Sequence, residues 1–486
     1  MKRFMAILLM VSALIFITAC GRSGDNTAST TAPIDITITE ETETTAADPF
    51  AGLPEQDFNG FKFRTITRNF EMWIKDYYIP EETGEVVDDA IFHRNQKIQE
   101  RYNIELTHSV SSSSNSDQDA KASILAGDDA YDIVVNHPHV CAQYANGMLL
   151  VEYSNLTYVD LDNPWWNQDA RNNLSINHKQ YVMYGDLSYQ TLGAADVMLF
   201  NKLMFNNYGI DFPYDMALDG TWTFDVFENI IKVGAADING DGVMDNINDQ
   251  FGYATQKWIG PIQVLYAAGQ RVISKDEDDI PYISLNTPRT QEVFERYFIG
   301  IIDSEYAYCQ MDGTSRQGGG YLDMFSNNRA LCIDVNLNDV SLLREMDTDF
   351  GIVPWPKYDE STDFCANVDA GTNTYVVPVT NIRYNLTSIV LESLGAFGYY
   401  EVVPIYYGTA LQTKYSRDEE SAGMLDLIKD ARVFDLGYFN SQFGGAFSTA
   451  FATIANNKIR DFNSWYTSNE ASVKAGIEKY LAAYME

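Results

Sequence analysis

From Gly60 to Val135 the hydrophobic period of the chain switches repeatedly between two and 3.6, and this alternation limits the fold more than any other feature. Gly60–Thr67 (Gly-Phe-Lys-Phe-Arg-Thr-Ile-Thr) alternates apolar with polar residues, the pattern of a strand. Asp88–Tyr102 sets Ile91, Ile98 and Tyr102 on one helical face, with Asp88 or Asp89 near the start. Asn103–Thr107 is a second strand, and Ser111–Asp119 is a polar loop. Ala120–Ala126 is a short helix closed by Gly127-Asp128-Asp129, and Tyr131–Val135 is a buried strand. Strands alternating with helices demand a mostly parallel α/β sheet with helices on its faces. Ligands of such sheets gather at the carboxyl ends of the strands. Here those ends are Thr67-Arg68-Asn69 and Asn136-His137-Pro138-His139.

Residues 57–486 are too many for one compact core and suit two lobes. The residues before them are of another kind. Lys2 and Arg3 precede an apolar run, Met5–Ile17, which is shorter than the roughly 20 residues of a membrane span. Residues 1–19 therefore read as a signal peptide, and Ile17-Thr18-Ala19-Cys20 as a lipobox with Cys20 as the lipidation site. Residues 20–56 are rich in Ser, Thr, Asp and Glu, a composition expected to stay disordered. The expectation is an extracytoplasmic protein anchored by lipid to the outer face of a bacterial cell membrane.

A formal net charge of -35 excludes nucleic acid as a partner, because phosphates need Lys and Arg. It favours a neutral or cationic ligand and divalent cations. Cys141, Cys309, Cys332 and Cys365 remain after Cys20; they lack the close pairing of a zinc ribbon and allow either disulfides or free thiols.

The sharpest chemical pattern is the run Asp237 to Asp249. Asp237, Asn239 and Asp241 fall at positions 1, 3 and 5 of a cation loop, Gly242 at the turn, the Val243 carbonyl at position 7 and Asp245 at position 9. Asn248 replaces the usual bidentate Glu at position 12, and Asp249 is next to it. The expectation is a structural Ca²⁺ that staples a surface loop. Enzyme signatures are missing: there is no G-x-S-x-G, no H-E-x-x-H and no phosphate-cradling Gly loop with Lys. Of five histidines only His137 and His139 stand close together, too few for a zinc site.

The order of several stretches resembles the family 1 extracellular solute-binding proteins, the sugar-transport group of maltose-binding-protein type. They are Tyr131–Val135 followed by Gly147-Met148-Leu149-Leu150; Leu199–Leu203; Asp219–Phe224; Phe350–Tyr358; and Lys414–Glu420 with Met424 and Asp426. The resemblance covers nearly all of residues 57–486. It implies a type II periplasmic-binding-protein-like fold, two α/β lobes with a ligand cleft between them, and no catalysis. The boundaries so implied are 57–192 for the first part of lobe 1, 193–368 for lobe 2, 369–411 for the return to lobe 1, and 412–486 for C-terminal helices packed mainly on lobe 2. The partners implied are a sugar or oligosaccharide ligand and the permease subunits of an ABC importer. A surface glycoside hydrolase, a glycan-binding lipoprotein and a peptide binder are the alternatives.

Sugar sites combine aromatic faces, which stack on C–H faces, with planar polar groups for hydroxyls. By order along the family pattern, the candidate ligand residues are Arg68, Asn69 and Trp73 after the first strand, and Asn136, His137 and His139 after the strand at Tyr131. Asn136 stands where maltose-binding-type relatives have a Trp, which argues against their linear-maltodextrin mode. Trp258, Asn336 with Asn338, Trp355, Asp369, Thr372, Tyr406 and Tyr407 complete the set. Trp222 is expected in the core beside a helix start, and Trp165-Trp166 fits cleft wall or lobe packing equally.

Overall fold

The computed structural model describes residues 48–112, 118–311, 318–408 and 419–485. The signal peptide, Cys20, most of the linker and the stretch Lys414–Asp418 lie outside the described residues. Among the described residues no helix is long and apolar enough to cross a membrane. In chain order the strands are β1 Phe61–Thr67, β2 Ile104–Val110, β3 Ile133–Asn136, β4 Asp196–Asn201, β5 Phe251–Gln256, β6 Ile273–Lys275, β7 Pro281–Ile283, β8 Ala307–Gln310, β9 Ala330–Asn336, β10 Phe350–Pro354, β11 Ala366–Asn367, β12 Thr374–Val376 and β13 Arg432–Val433.

Two sheets carry the architecture. The first has the order β12-β3-β1-β2 and the second β10-β4-β9-β5-β8. In the first, β1 runs parallel to both β2 and β3, and β12 closes it antiparallel to β3. In the second, β5 runs parallel to β8 and β9, while β4 lies antiparallel to β9 and β10. Both central strands are buried on two faces, as helix-covered sheets require. Ile133 and Val135 point into one apolar cluster and Val134 into another. Val197 and Leu199 likewise oppose Met198 and Phe200. This is the α/β class that the alternation demands.

The helices follow the periodic stripes with shifted ends. The helix expected from Asp88 begins at Val86 and ends at Tyr102, where Asn103 turns into the left-handed region (φ 48). Val293, Phe294, Tyr297, Phe298 and Ile301 form a buried stripe, along which the helix Pro288–Phe294 continues to Ile302 as a π-helix. The C-terminal helix begins at Phe462, capped by Asp461, whose carboxylate accepts from Ser464 N at 2.9 Å. Its first turns are rich in Asn, Ser and Thr, poor helix formers in isolation; buried Phe462 and Tyr466 hold them. Trp222 is fully buried beside the helix Phe224–Val233, as expected. Trp165 and Trp166 are also buried, with Trp166 Nε1 donating to Glu392 Oε2 at 3.0 Å, so this pair is packing and not cleft wall. Cys141, Cys309, Cys332 and Cys365 form no disulfide with one another.

The chain passes from the first sheet to the second at β4 and back at β12, and the two passages touch. Ala195 forms an antiparallel bridge with Val368, and Asp369 N donates to Ala194 O at 2.9 Å. A third segment joins them, since β11 pairs with β13. Asp196 sits at this junction with no exposed surface; its Oδ1 accepts from Asn336 Nδ2 at 2.6 Å and its Oδ2 from Asn367 Nδ2 at 3.1 Å.

A second buried acid lies inside the second lobe. Asp334 Oδ2 accepts from Tyr253 OH at 2.5 Å and Trp355 Nε1 at 3.2 Å, while Oδ1 has no partner. Burial pushes its pKa up to about 6. This lies above the value in an unfolded chain, so the ionised form opposes folding. The cost is absent in acid and grows as pH rises through about 6. Asp334→Asn is expected to gain stability over the wild type as pH rises from 4 to 8, by up to about 3 kcal/mol. Urea unfolding at a series of pH values measures it; a stability difference independent of pH refutes it.

Candidate functional site

Strand direction places four loops on one cavity. β1 and β3 are parallel, so the residues after Thr67 and after Asn136 leave the first sheet at the same end. β5 and β9 are parallel, so the residues after Gln256 and after Asn336 leave the second sheet together. The antiparallel strands β4 and β12 begin at those same ends, opposite Asn336 and Asn136 respectively. The crossings and the strand ends therefore meet at a cleft of about 850 Å³.

One wall comes from the first sheet: Phe70, Met72 and Trp73 after β1, and His137 and His139 after β3. The other comes from the second: Gln256 at the end of β5 with Trp258 after it, and Asn336 at the end of β9 with Asn338 and Asp339 after it. Ala194 and Asp369–Gly371 line the crossing, and Tyr438, Ser441, Ser448 and Thr449 close the cleft from the C-terminal segment. Phe70, Met72 and Trp258 are 49%, 38% and 39% exposed, large apolar surfaces left wet at the cavity mouth. Of the ligand residues expected from sequence, the structure brings Trp73, His137, His139, Trp258, Asn336 and Asp369 together here.

Others lie just beneath this surface. Arg68, Asn136 and Thr372 are buried at the ends of β1, β3 and the approach to β12, on neighbouring strands. Arg68 donates through Nη2 to Gly371 O, and its guanidinium lies 4.6 Å from the Trp73 ring centroid. Burial pulls its pKa down to about 10. Arg68 Nε, Asn136 Nδ2 and Thr372 Oγ1 have no hydrogen-bond partner. Three expected residues are placed elsewhere. Asn69 is exposed and does not line the cleft. Trp355 is a core residue, bonded to Asp334 and stacked on Phe224. Tyr407 donates to Ala422 O at 3.4 Å, away from the cleft. Tyr406 is buried against Tyr189 and reaches the site only indirectly, its hydroxyl donating to Asn338 Oδ1 at 3.2 Å.

The polar groups are held before any ligand arrives. Asn336 is fixed on Asp196, and Asn338 Nδ2 donates to Gln190 Oε1 at 2.8 Å. Gly371 N donates to Asp369 Oδ1 at 2.6 Å, and a Cβ at residue 371 would stand 2.6 Å from that same oxygen, so any larger residue there would displace the Asp369 carboxylate. Sequence reading missed Phe70, Met72, Gln256, Asp339, Tyr438, Ser441, Ser448 and Thr449. Phe70, Met72, Gln256 and Asp339 adjoin strand ends and were within reach of the strand-end rule. The C-terminal residues were not, because nothing local tells that helices at 436–456 fold back over the cleft.

The cation-loop residues, 237–249, do not line the cleft. Asp237 Oδ1 and Oδ2 accept from Gly240 N and Gly242 N at 2.7 and 2.8 Å, and Asp241 Oδ1 from Val243 N at 2.8 Å. Asn239 Oδ1 accepts from Asp241 N at 2.9 Å. Asp245 is lowered from the usual carboxylate value by bonds from Asn248 and Ile247. Buried Asp249 accepts from Ile238 N and Asp245 N. Gly240 and Gly242 take φ of 73 and 81, as the tight turn requires. The carboxylates thus close the loop on its own N–H groups. Among the described residues no three His, Cys, Asp or Glu side chains are grouped to hold a metal ion.

No protein-family model and no curated protein matches the chain. Solved structures do match. UspC of M. tuberculosis has a TM-score of 0.56 at 14% identity, over 86% of this chain and 100% of that one. The cyclic alpha-maltosyl-1,6-maltose binding protein of Arthrobacter globiformis has 0.53 at 15%, over 87% and 98%. The ABC substrate-binding protein Lmo0181 of Listeria monocytogenes, in complex with cycloalternan, has 0.52 at 13%, over 87% and 99%. The fold is thus the two-lobed type II architecture of substrate-binding proteins.

His137 gives the site a measurable pH response. It caps the helix Pro138–Asn146, Nδ1 accepting from His139 N at 3.3 Å, which requires a neutral ring. Burial first, then His139 and Arg68, pull its pKa down to about 3. A depressed folded value contributes stability that is full above the unfolded value, about 6.5, and is lost as pH falls toward 3. His137→Asn keeps an acceptor at the cap but does not titrate, so it is expected to flatten the fall in melting temperature between pH 7 and 4. An unchanged pH profile in the variant refutes this role.

Proposed function

We propose that the chain is the substrate-binding component of an ABC importer and takes a carbohydrate, an oligosaccharide by the size of the cleft, between its lobes. The observation that carries this reading is the pairing of two indoles, Trp73 from the first lobe and Trp258 from the second, across one cavity edged by amides, hydroxyls and carboxylates. Indole faces bury the C–H faces of a pyranose, and planar polar groups bond its hydroxyls. A cleft of about 850 Å³ is at the upper end of small-molecule sites. One neighbour in fold is in complex with cycloalternan and another is named for binding cyclic alpha-maltosyl-1,6-maltose, which supports the ligand class.

In this reading the ligand bridges walls that belong to different sheets and so favours a closed form over an open one. No bond is made or broken. The closed lobes would be presented to permease subunits, with Cys20 as the lipid anchor on the outer face of the membrane. Two acyl chains there would give stable anchoring.

Calcium belongs to the same reading as a staple of the loop 237–249. Asp237, Asn239, Asp241, the Val243 carbonyl and Asp245 would hold it, with Asn248 or Asp249 as the last contact. Support comes from the ligand spacing and from Asp237 and Asp241 standing exposed in one short turn. If it binds, Asp241→Ala and chelator each lower the melting temperature by a few degrees in the wild type, without loss of ligand affinity; a melting temperature indifferent to both refutes it.

A thermal-shift screen of the whole chain against a glycan panel tests the main reading, since a ligand of the native state must raise its stability. A rise with a neutral oligosaccharide, weakened about tenfold or more by Trp258→Ala or Trp73→Ala, is expected. No rise with any glycan, together with slow glycan cleavage, would favour a hydrolase. No rise and no cleavage would favour a peptide or another solute.

A further inference from the structure

Each indole of the cleft has a cation behind it. The Arg68 guanidinium lies 4.6 Å from the centre of the Trp73 ring, and Lys257 Nζ lies 4.6 Å from the centre of the Trp258 ring. The two rings line the cavity and the two cations do not. Arg68 is 3% exposed and Lys257 7%. Both are held in place, Arg68 on Gly371 O and Lys257 on Asn456 Oδ1 at 3.4 Å. The same device therefore occurs once in each lobe, on unrelated segments.

An aromatic face attracts a cation through the ring quadrupole, and cages of such faces are how proteins seize quaternary ammonium groups. This cleft holds the parts of such a cage: Phe70, Trp73, Trp258 and Tyr438, with the carboxylates of Asp339 and Asp369. In a chain of net charge -35 it would gather amines. The rear cations oppose that. Each already occupies the attraction of its ring, and each repels a second positive charge arriving on the front face through a protein interior of low dielectric. A neutral C–H face stacks by apolar burial and dispersion, which a cation behind the ring leaves intact.

We propose that Arg68 and Lys257 are specificity-determining residues that bar cationic ligands from the cleft and so reserve its indoles for uncharged polyhydroxyl rings. This rests on the carbohydrate reading for the ligand admitted, but the exclusion of cations can be measured by itself. Lys257 provides the sharper test, because its removal leaves no buried arginine site to repack.

The experiment titrates the whole chain with tetramethylammonium, and separately with the neutral oligosaccharide that gives the largest thermal shift, following tryptophan fluorescence. Wild type and Lys257→Arg are expected to bind tetramethylammonium too weakly to saturate. Lys257→Met, shown to be folded by its circular dichroism, is expected to bind it about tenfold or more tightly than wild type. Arg68→Met should act in the same direction where it folds. Wild type saturating with tetramethylammonium as readily as Lys257→Met overturns the proposal, as does a folded Lys257→Met with no gain. A gain in Lys257→Met without any oligosaccharide binding upholds cation exclusion while the carbohydrate reading fails. Oligosaccharide binding with no gain in the variant does the reverse.

Discussion

Asp196 is a carboxyl group taken wholly out of water at the place where the chain crosses between its two sheets. Burial, and then the nearby Asp369, push its pKa well above the carboxylate range. Such a group is tolerated only when its lone pairs are matched. Asn336 from the end of β9 and Asn367 from the returning strand β11 supply that match. One side chain thereby ties the outward crossing, the return and a strand end that lines the cleft. The two walls of the cavity share an edge that these bonds tie together at Asp196.

The second constraint is strand direction. Parallel pairing sends consecutive loops to one end of each sheet, and the antiparallel strands β4 and β12 start at that end. Sites at such ends need no special loop design, since the topology delivers the residues. What the loops add is chemistry: indoles 73 and 258 with cations behind them, amides already braced on Asp196 and Gln190, and a histidine cap. A preorganised polar lining lowers the ordering cost of binding.

Reading the residues in order located much of the first wall. His137 and His139 directly follow a strand end and Trp73 was named by the order of stretches; all three line that wall, with Arg68 beneath it. Trp258 and Asn336 were found by the order of stretches. Trp355 failed for a physical reason: flanked by Pro354 and Pro356 it looks like a loop aromatic, yet it fills the space between Phe224 and Asp334 in the core. Tyr406 and Tyr407 failed similarly, because a helical turn can face a cleft or the next helix with the same local pattern.

The sequence by itself determined the α/β class, strands such as β1, β2 and β3, and the buried face of the helix Val86–Tyr102, because periods of two and 3.6 are local and hydrophobic burial reads them directly. It also raised the expectations of a lipobox at Cys20 and of a cation loop over Asp237–Asp249, both read from consecutive residues. Only the tertiary structure decided that Ser441, Ser448 and Thr449 reach a cleft begun nearly four hundred residues earlier at Phe70. Only it set Arg68 behind Trp73 and Lys257 behind Trp258, in matching positions on opposite walls. Those relations depend on how sheets are joined and which helices fold back over them, and no local period encodes a distance between segments far apart in the chain.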